Sequence, residues 1–177
     1  MEVAQAILMK RAVRSFAPGP LPEASVLAIL RAGRRAQSAK NTQPWQFIAV
    51  QDRATLVALS RTGTFAEHLA GAQLGVAILT PDPAQRWSIL FDSGQAAAYM
   101  QLAAWDLGIG SCLATIYEAE QARSILGFPP EYHLHVAISF GYPADPEVLT
   151  ARPRRGGRRA VDAIVHREHW GGPPDAG

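Results

Sequence analysis

The chain has 177 residues, of which 48% are hydrophobic and 18% are charged. That length suits one domain with a buried core, and the apolar fraction excludes a disordered tail. The formal net charge of +2 is too small for the broad positive field with which proteins attract nucleic acid, so no nucleic-acid partner is expected.

The sequence also limits the compartment and the covalent chemistry. A single cysteine, Cys112, excludes a disulfide within the chain and argues against a cysteine metal site. Its flanks, Ser111 and Leu113, predict a small buried residue. The early Glu2 argues against a signal peptide, and no apolar run reaches transmembrane length. We therefore predict a soluble cytoplasmic protein with no membrane partner, one domain over residues 1–170, and a frayed tail over residues 171–177.

Helices and buried strands alternate along the first half of the chain. A short helix is predicted over residues 2–10, and Pro22 suits the first position of a second helix that runs to about residue 36. The β-branched and aromatic segment WQFIAV predicts a strand over residues 45–50. Two helices over residues 52–61 and 64–73 then lead to a second buried strand, LGVAILT.

The longest predicted helix lies in the segment FDSGQAAAYMQLAAWDLGI. From Ala96 to Leu107 it is apolar or small on almost every face, and a helix that is apolar all round is buried all round. One small domain rarely surrounds a helix completely, so we predict a homodimer in which a partner subunit supplies the missing contacts of this helix, which contains Tyr99, Met100 and Leu102.

The second half of the chain predicts an extended piece, SCLATI, a helix over residues 118–127 and a third strand, HLHVAISFGYP. A final helix is expected in AVDAIVHREHWG. The alternation of elements indicates an α/β or α+β fold in three layers.

Cations cluster in the segment KRAVRSF, which contains Lys10, Arg11 and Arg14. At the end of a helix they could simply complement its dipole, an effect of roughly 0.3–1 kcal/mol each. They could instead hold a phosphate group. The polar loop AQSAKNTQPWQF offers Ser38, Asn41 and Gln43 as hydrogen-bonding groups for a planar heteroaromatic edge, although an ordinary connecting loop would look similar.

Metal and nucleotide motifs are weak or absent. The sequence lacks GxxxxGK[ST], GxGxxG, HExxH and CxxC. His133 and His135 would share one face of a strand, but without a nearby carboxylate ligand a structural role is favoured over a metal site. His166 and His169 have helical spacing that favours surface positions. No metal is predicted.

Five segments in series resemble the nitroreductase family of FMN-dependent oxidoreductases. They are KRAVRSF, QSAKNTQPWQF, DSGQAAAYMQLAAWDLGIGS, the FGYP that ends the last strand, and GGRRAVDAIVHREHW. Together they cover nearly the whole chain in the family's order. The resemblance implies an α+β fold, with a sheet flanked by helices in three layers (α/β/α), and an intertwined homodimer with FMN at the interface.

The resemblance also implies a role for each matching position. Lys10 and Arg11 would hold the FMN phosphate and ribityl region, and Arg14 would lie near the pyrimidine end of the flavin. Arg158 and Arg159 would complete the phosphate clamp. The remaining cofactor-binding positions are Gln37, Ser38 and Asn41, which would reach the flavin of the other subunit, and Leu113, Ala114 and Thr115, whose segment would offer a backbone N–H near flavin N5.

Two positions depart from the family's pattern. Ala12 stands where the motif has serine, which removes a hydroxyl that would meet phosphate. Gln37 stands where the loop has proline. The insertion before the DSG helix, PDPAQRWSILF, is short, so we expect an open substrate pocket lined by four residues: Phe65, His68, Trp87 and Phe91.

The implied activity is ping-pong hydride transfer, with no covalent catalytic residue. NADH or NADPH would reduce the flavin, and nitroaromatics, quinones or free flavins would oxidise it. Reductive dehalogenation or flavin breakdown would also fit the resemblance, but those reactions need a specialised lid that the sequence lacks. An anion- or nucleic-acid-binding module is the alternative of another class. A yellow purified protein would exclude it.

Overall fold

The computed structural model of the chain describes residues 2–152 and 158–172. Its regular elements form four strands and five α-helices in this part of the chain. The strands are β1 (Gln46–Val50), β2 (Leu74–Thr80), β3 (Gly110–Thr115) and β4 (His133–Gly141). The helices are α1 (Val3–Met9), α2 (Glu23–Arg34), α3 (Arg53–Leu59), α4 (Ser88–Asp106) and α5 (Ala119–Leu126).

The four strands form one sheet in the order β1-β2-β4-β3, and every neighbouring pair is antiparallel. β2 lies between β1 and β4, and all seven of its residues are buried. Its unbroken run of apolar and small residues reflects a strand covered on both faces. An antiparallel sheet with helices on its faces is an α+β fold, which decides between the two predicted classes.

Helices cover both faces of the sheet and enclose two cores. On one side, α2 and α4 pack on the sheet through Ile29, Met100 and Ile138. On the other side, α3 and α5 pack through Leu56 and Ala122. Burying one such large aliphatic side chain stabilises the fold by about 1.5–3 kcal/mol. The predicted three-layer arrangement is confirmed.

Helix α4 begins earlier than predicted, at Ser88, and buries only one of its faces in this chain. Met100 is fully buried in its own core, where a side chain at Gly33 would clash with it. Met100 therefore fixes the packing of α2 against α4 within the chain. Tyr99 and Leu107, in contrast, remain exposed.

Two predicted helices are not formed. Residues 64–73 contain only a single 3₁₀ turn, Glu67–Leu69, within a run of turns that starts at Gly63. The C-terminal segment contains only the 3₁₀ turn Val161–Ala163, and residues 158–171 are exposed. Short helices need tertiary packing, and this segment has little of it within its own chain. Residues 173–177 of the predicted frayed tail lie outside the described residues.

Within residues 2–152 and 158–172, no helix combines the length and hydropathy needed to span a membrane.

Candidate functional site

The segment Lys10–Phe16 runs along the open edge of β3. Ala12 forms a parallel bridge with Ser111, and Val13 N donates to Ser111 O at 2.9 Å. Further on, Phe16 bridges to Pro143 just after β4. Lys10 therefore ends α1, and the main chain on either side of Arg14 is held against the sheet.

The three cations have different surroundings. Lys10 is half-buried, and burial lowers its pKa while the nearby Cys112 opposes that shift. Arg11 donates through Nε to Met9 O at 3.1 Å and through Nη2 to Ala151 O at 2.5 Å. It thereby joins the N-terminal segment to the chain that follows β4. Arg14 is exposed.

Arg14 opens into a cavity of about 390 Å³, the Arg14 cavity, which is lined by Arg14, Thr64, Phe65, Glu67 and His68. Phe65 is 78% exposed at its mouth, whereas His68 is only 7% exposed. A cation, an aromatic ring and an imidazole thus share one opening with the exposed carboxylate of Glu67. This combination suits a planar, polar ligand that carries partial negative charge.

A hydrogen-bond chain orients the His68 imidazole. His68 Nδ1 lies 2.7 Å from Ser139 Oγ, and Ser139 Oγ donates to Cys112 O at 3.3 Å. Because the hydroxyl donates to that carbonyl, it accepts from Nδ1–H, which leaves the lone pair on Nε2. Nε2 is buried and makes no hydrogen bond to a described residue. An orphaned buried acceptor of this kind is costly unless a ligand satisfies it.

The charge state of His68 follows from its surroundings. Burial lowers the pKa of His68, the Leu113 main chain opposes the shift, and the positive charge of Arg14 reinforces it. The imidazole is therefore neutral at pH 7 and can accept a hydrogen bond at Nε2.

Every second residue of β3 directs its main-chain N–H and C=O groups to the open edge of the strand. Ser111 O accepts from Val13 N, so the Ser111 main-chain groups point away from β4. By the alternation of an antiparallel strand, those of Leu113 and Thr115 point the same way. Ile116 N donates to His135 O at 2.9 Å, as the alternation requires. Ala114 is buried and pairs with Ala137.

Cys112 is buried, as predicted, and free. Burial raises the pKa of its thiol, while Arg14 and Lys10 partly oppose that shift. No cation is adjacent to Cys112 in the sequence. Lys10 and Arg14 come close to its thiol only because the N-terminal segment pairs with β3.

The loop between α2 and β1 adopts a constrained shape. Lys40, Asn41 and Gln43 all have positive φ, at 53°, 54° and 47°. Gln43 N donates to Ser38 Oγ at 2.9 Å, and Gln43 Nε2 donates to Asn41 Oδ1 at 3.3 Å. Left-handed non-glycine residues cost of order 1–3 kcal/mol each and persist where other contacts determine them. Gln37 is exposed beside this loop.

Two side chains at the start of α4 fix that loop. Ala39 N donates to Asp92 Oδ2 at 3.1 Å, and Asp92 is only 3% exposed. Arg86 Nη2 donates to Thr42 Oγ1 at 2.7 Å. The sequence analysis missed both supports. The only sequence signal for these contacts was the aspartate of the DSG segment, Asp92. The sequence alone does not show which loop that aspartate contacts.

The predicted phosphate and pocket residues outside this region are exposed. Arg159 Nη2 donates to Ala163 O at 2.5 Å, and Arg158 is exposed beside it, next to residues 153–157, which lie outside the described residues. Trp87 and Phe91 meet edge to face at 6.4 Å and are 80% and 65% exposed. Of the four predicted pocket residues in the described chain, only Phe65 and His68 line the Arg14 cavity.

The histidine pairs occupy surface positions. The rings of His133 and His135 stack with centroids 6.2 Å apart and an interplanar angle of 6°. His166 stacks on Trp170 at 4.3 Å. Within the described ranges there is no group of three histidine, cysteine or acidic residues that could hold a metal ion.

Comparison with known sequences and structures supports one family. The model of the "Nitroreductase family" matches residues 7–63 and 57–142. A protein of Archaeoglobus fulgidus with the name "Putative NADH dehydrogenase/NAD(P)H nitroreductase" is 31% identical over 179 aligned residues, which cover 96% of this chain and 99% of that protein.

Solved structures share the fold. An "FMN-dependent Nitroreductase" from Clostridium difficile superposes with a TM-score of 0.83 at 25% identity, covering 95% of this chain and 100% of the other. "NADPH:FMN oxidoreductase" from Vibrio harveyi, solved with NAD+, superposes with a TM-score of 0.80 at 20% identity, covering 94% of this chain and 77% of the other.

Proposed function

This chain belongs to the nitroreductase family, and on that premise we propose that it is an FMN-dependent oxidoreductase that takes hydride from NADH or NADPH. The observation that carries the proposal is the Arg14 cavity, where Arg14 and the orphaned Nε2 of His68 meet beside the open edge of β3. Both groups match the pyrimidine edge of a flavin, which offers hydrogen-bond acceptors and one N–H donor.

The redox step depends on the groups around the flavin ring. Bound FMN supplies an acceptor for hydride at N5 and returns the electrons to an oxidant. Arg14 provides a fixed positive charge that favours the reduced, anionic state of the ring. The outward main-chain groups of Leu113 would offer hydrogen bonds at the strand edge. Gly63 packs against the outward carbonyl of Thr115, and Ala114 serves through packing.

The phosphate would be held by cations from both ends of the chain. Lys10 lies at the end of α1, and its lowered pKa reflects a site that an anion would stabilise. Arg11 ties the N-terminal segment to Ala151, which brings the chain toward the segment that carries Arg158 and Arg159. Together these groups suit a terminal phosphate monoester.

We propose that the working unit is a homodimer. Exposed apolar residues follow one side of α4, among them Leu90, Phe91, Tyr99 and Leu107. A helix side that exposes several large apolar residues and few polar ones is typical of a subunit contact. The fixed loop that carries Gln37, Ser38 and Asn41 would then reach the flavin of the partner.

The nicotinamide and the oxidant would use the same open face in turn. Phe65 at the mouth of the Arg14 cavity provides an aromatic surface for a planar substrate. Nitroaromatics and quinones fit this description. The connection from β2 to α4 holds only a 3₁₀ turn, Pro83–Gln85, and offers no lid for dehalogenation.

Anaerobic reduction tests the proposed function. Purified protein carrying its flavin is titrated under argon with NADH and, separately, with NADPH. We expect at least one nicotinamide to bleach the yellow absorbance band stoichiometrically, and an added quinone to restore it. A flavin that neither nicotinamide reduces would reject the assignment as an NAD(P)H oxidoreductase.

A further inference from the structure

We propose that Glu67 makes the Arg14 cavity selective for uncharged planar oxidants over anionic ones. This inference rests on the proposed function and names the class of substrate that the same site accepts. Glu67 is one of the residues that line the cavity, and its side chain is exposed. Its carboxylate therefore lies at the opening through which a substrate would approach the flavin.

The turn that carries Glu67 is held against the edge of β3. Gly63 packs so closely there that a Cβ at this position would clash with Thr115 O. At the preceding residue, Thr62 O accepts from Tyr117 N at 2.8 Å and from Glu118 N at 3.0 Å. The start of the turn is therefore fixed to the strand and to the residues that follow it.

Within this turn, buried and exposed side chains are separated. Ala66 and Leu69 are fully buried, and His68 is 7% exposed. Phe65 is 78% exposed, and Glu67 is exposed as well. The packed inner side holds the main chain in place, so the aromatic ring and the carboxylate are presented together at the opening of the Arg14 cavity.

The charge of Glu67 has no counterpart left over in the cavity. Arg14 and Glu67 are the only charged side chains among the described residues that line it, since His68 is neutral at pH 7. In the proposed function, the positive charge of Arg14 is directed to the flavin. Glu67 forms no ion pair with a described residue, so its negative charge remains to act on an incoming oxidant.

Other charges beside the turn leave this sign unchanged. Arg61 precedes the turn, and Glu118 contacts it through its main-chain N–H. Both side chains are exposed, and neither lines the Arg14 cavity. Because they carry opposite charges, their contributions at the opening largely cancel. The charge that an oxidant meets there is therefore that of Glu67.

This arrangement separates oxidants that share a ring but differ in charge. A neutral quinone or nitroaromatic can pack on Phe65 without an electrostatic penalty from Glu67. A sulfonated or carboxylated analogue offers the same ring, but its anionic group is repelled by the carboxylate. For two charges several ångströms apart in a solvent-exposed site, the repulsion changes an affinity about two- to fivefold.

The test compares two ligands that flavin cannot reduce, naphthalene-2-sulfonamide and naphthalene-2-sulfonate, by calorimetry on the FMN-loaded protein at low salt. The wild type should bind the neutral sulfonamide more tightly. Glu67→Gln keeps the size of the side chain and removes its charge. It should strengthen binding of the sulfonate about two- to fivefold and leave binding of the sulfonamide unchanged.

Salt distinguishes charge from packing. At about 1 M salt the Debye length is only about 3 Å, so wild type and Glu67→Gln should bind the sulfonate alike. Turnover should follow binding. With 1,4-naphthoquinone, kcat/KM should be the same for both proteins, whereas with its 2-sulfonate it should rise in Glu67→Gln. Comparing each oxidant across the variants cancels the difference in potential between the two quinones.

Glu131→Gln is the matched control. Glu131 is exposed in the turn before β4 and does not line the Arg14 cavity, so this variant loses the same charge elsewhere. It should bind both ligands like the wild type. An equal gain in Glu131→Gln, a gain that persists in high salt, or a wild type that prefers the sulfonate would overturn the proposal.

Failure of this inference differs from failure of the proposed function. A flavin-loaded protein that a nicotinamide reduces, and in which Glu67→Gln binds the sulfonate like the wild type, would overturn the role of Glu67 alone. A protein that retains no FMN would reject the proposed function, and the selectivity of its Arg14 cavity with it.

Discussion

Replacing Arg14 by alanine is expected to lower the midpoint potential of the bound flavin. Arg14 lines the cavity at the β3 edge, and its charge favours the anionic reduced ring over the neutral oxidised one. For a two-electron couple, a loss of about 1.4 kcal/mol corresponds to a shift of about 30 mV. The measurement is a dye-equilibrated redox titration of variants reconstituted with excess FMN.

Two control variants separate charge from binding. Arg14→Lys keeps the positive charge, so the midpoint potential of its bound flavin should stay close to that of the wild type. Arg11→Ala removes a cation whose contacts are the carbonyls of Met9 and Ala151, so it should weaken FMN binding and leave the potential nearly unchanged. A wild-type potential in Arg14→Ala together with a shifted potential in Arg11→Ala would show that the roles are reversed.

A charge at Ala103 is expected to abolish both assembly and FMN binding. Ala103 is half-buried on α4, three residues before the helix ends at the exposed Asp106. In a dimer, Ala103→Glu would place an unpaired carboxylate in an apolar contact, which costs several kcal/mol. Because the proposed site spans the interface, loss of the dimer would also release the cofactor. Sedimentation with simultaneous flavin absorbance follows both properties.

Ala119→Glu is the control for the dimer experiment. Ala119 is an exposed residue at the start of α5, on the side of the sheet opposite α4. An added carboxylate near a helix N-terminus is tolerated, so this variant should remain dimeric and yellow. A stable, flavin-loaded monomer of either the wild type or Ala103→Glu would exclude the proposed interface site.

The sequence predicted those elements whose pattern is strong and local. The apolar run of β2 and the glycine end of α5 at Gly127 appear where their patterns placed them, and the long helix α4 forms with an earlier start than predicted. The predicted helix over residues 64–73 failed because a turn at Gly63, which packs against Thr115 O, is set by tertiary contact. The C-terminal helix failed because its apolar residues have little to pack on within one chain.

The candidate site could be predicted only in part. Arg14 was identified from its motif and His68 as an expected pocket residue, and the structure brings them to one cavity. Their meeting with Ser139 and Cys112 depends on strand register and on the edge pairing of Ala12 with Ser111, which no local pattern specifies. The contact of the buried Asp92 with the loop at Ala39 joins residues 53 positions apart in sequence and was missed for the same reason.

Identification of the released cofactor tests the central claim most directly. Purified protein is heated, the precipitate is removed, and the supernatant is resolved by chromatography against FMN, FAD and riboflavin. The cations around Lys10 and Arg158 suit one terminal phosphate monoester, so the account predicts FMN in a ratio approaching one per chain. Release of FAD, or failure to retain any flavin after reconstitution with FMN, would contradict it.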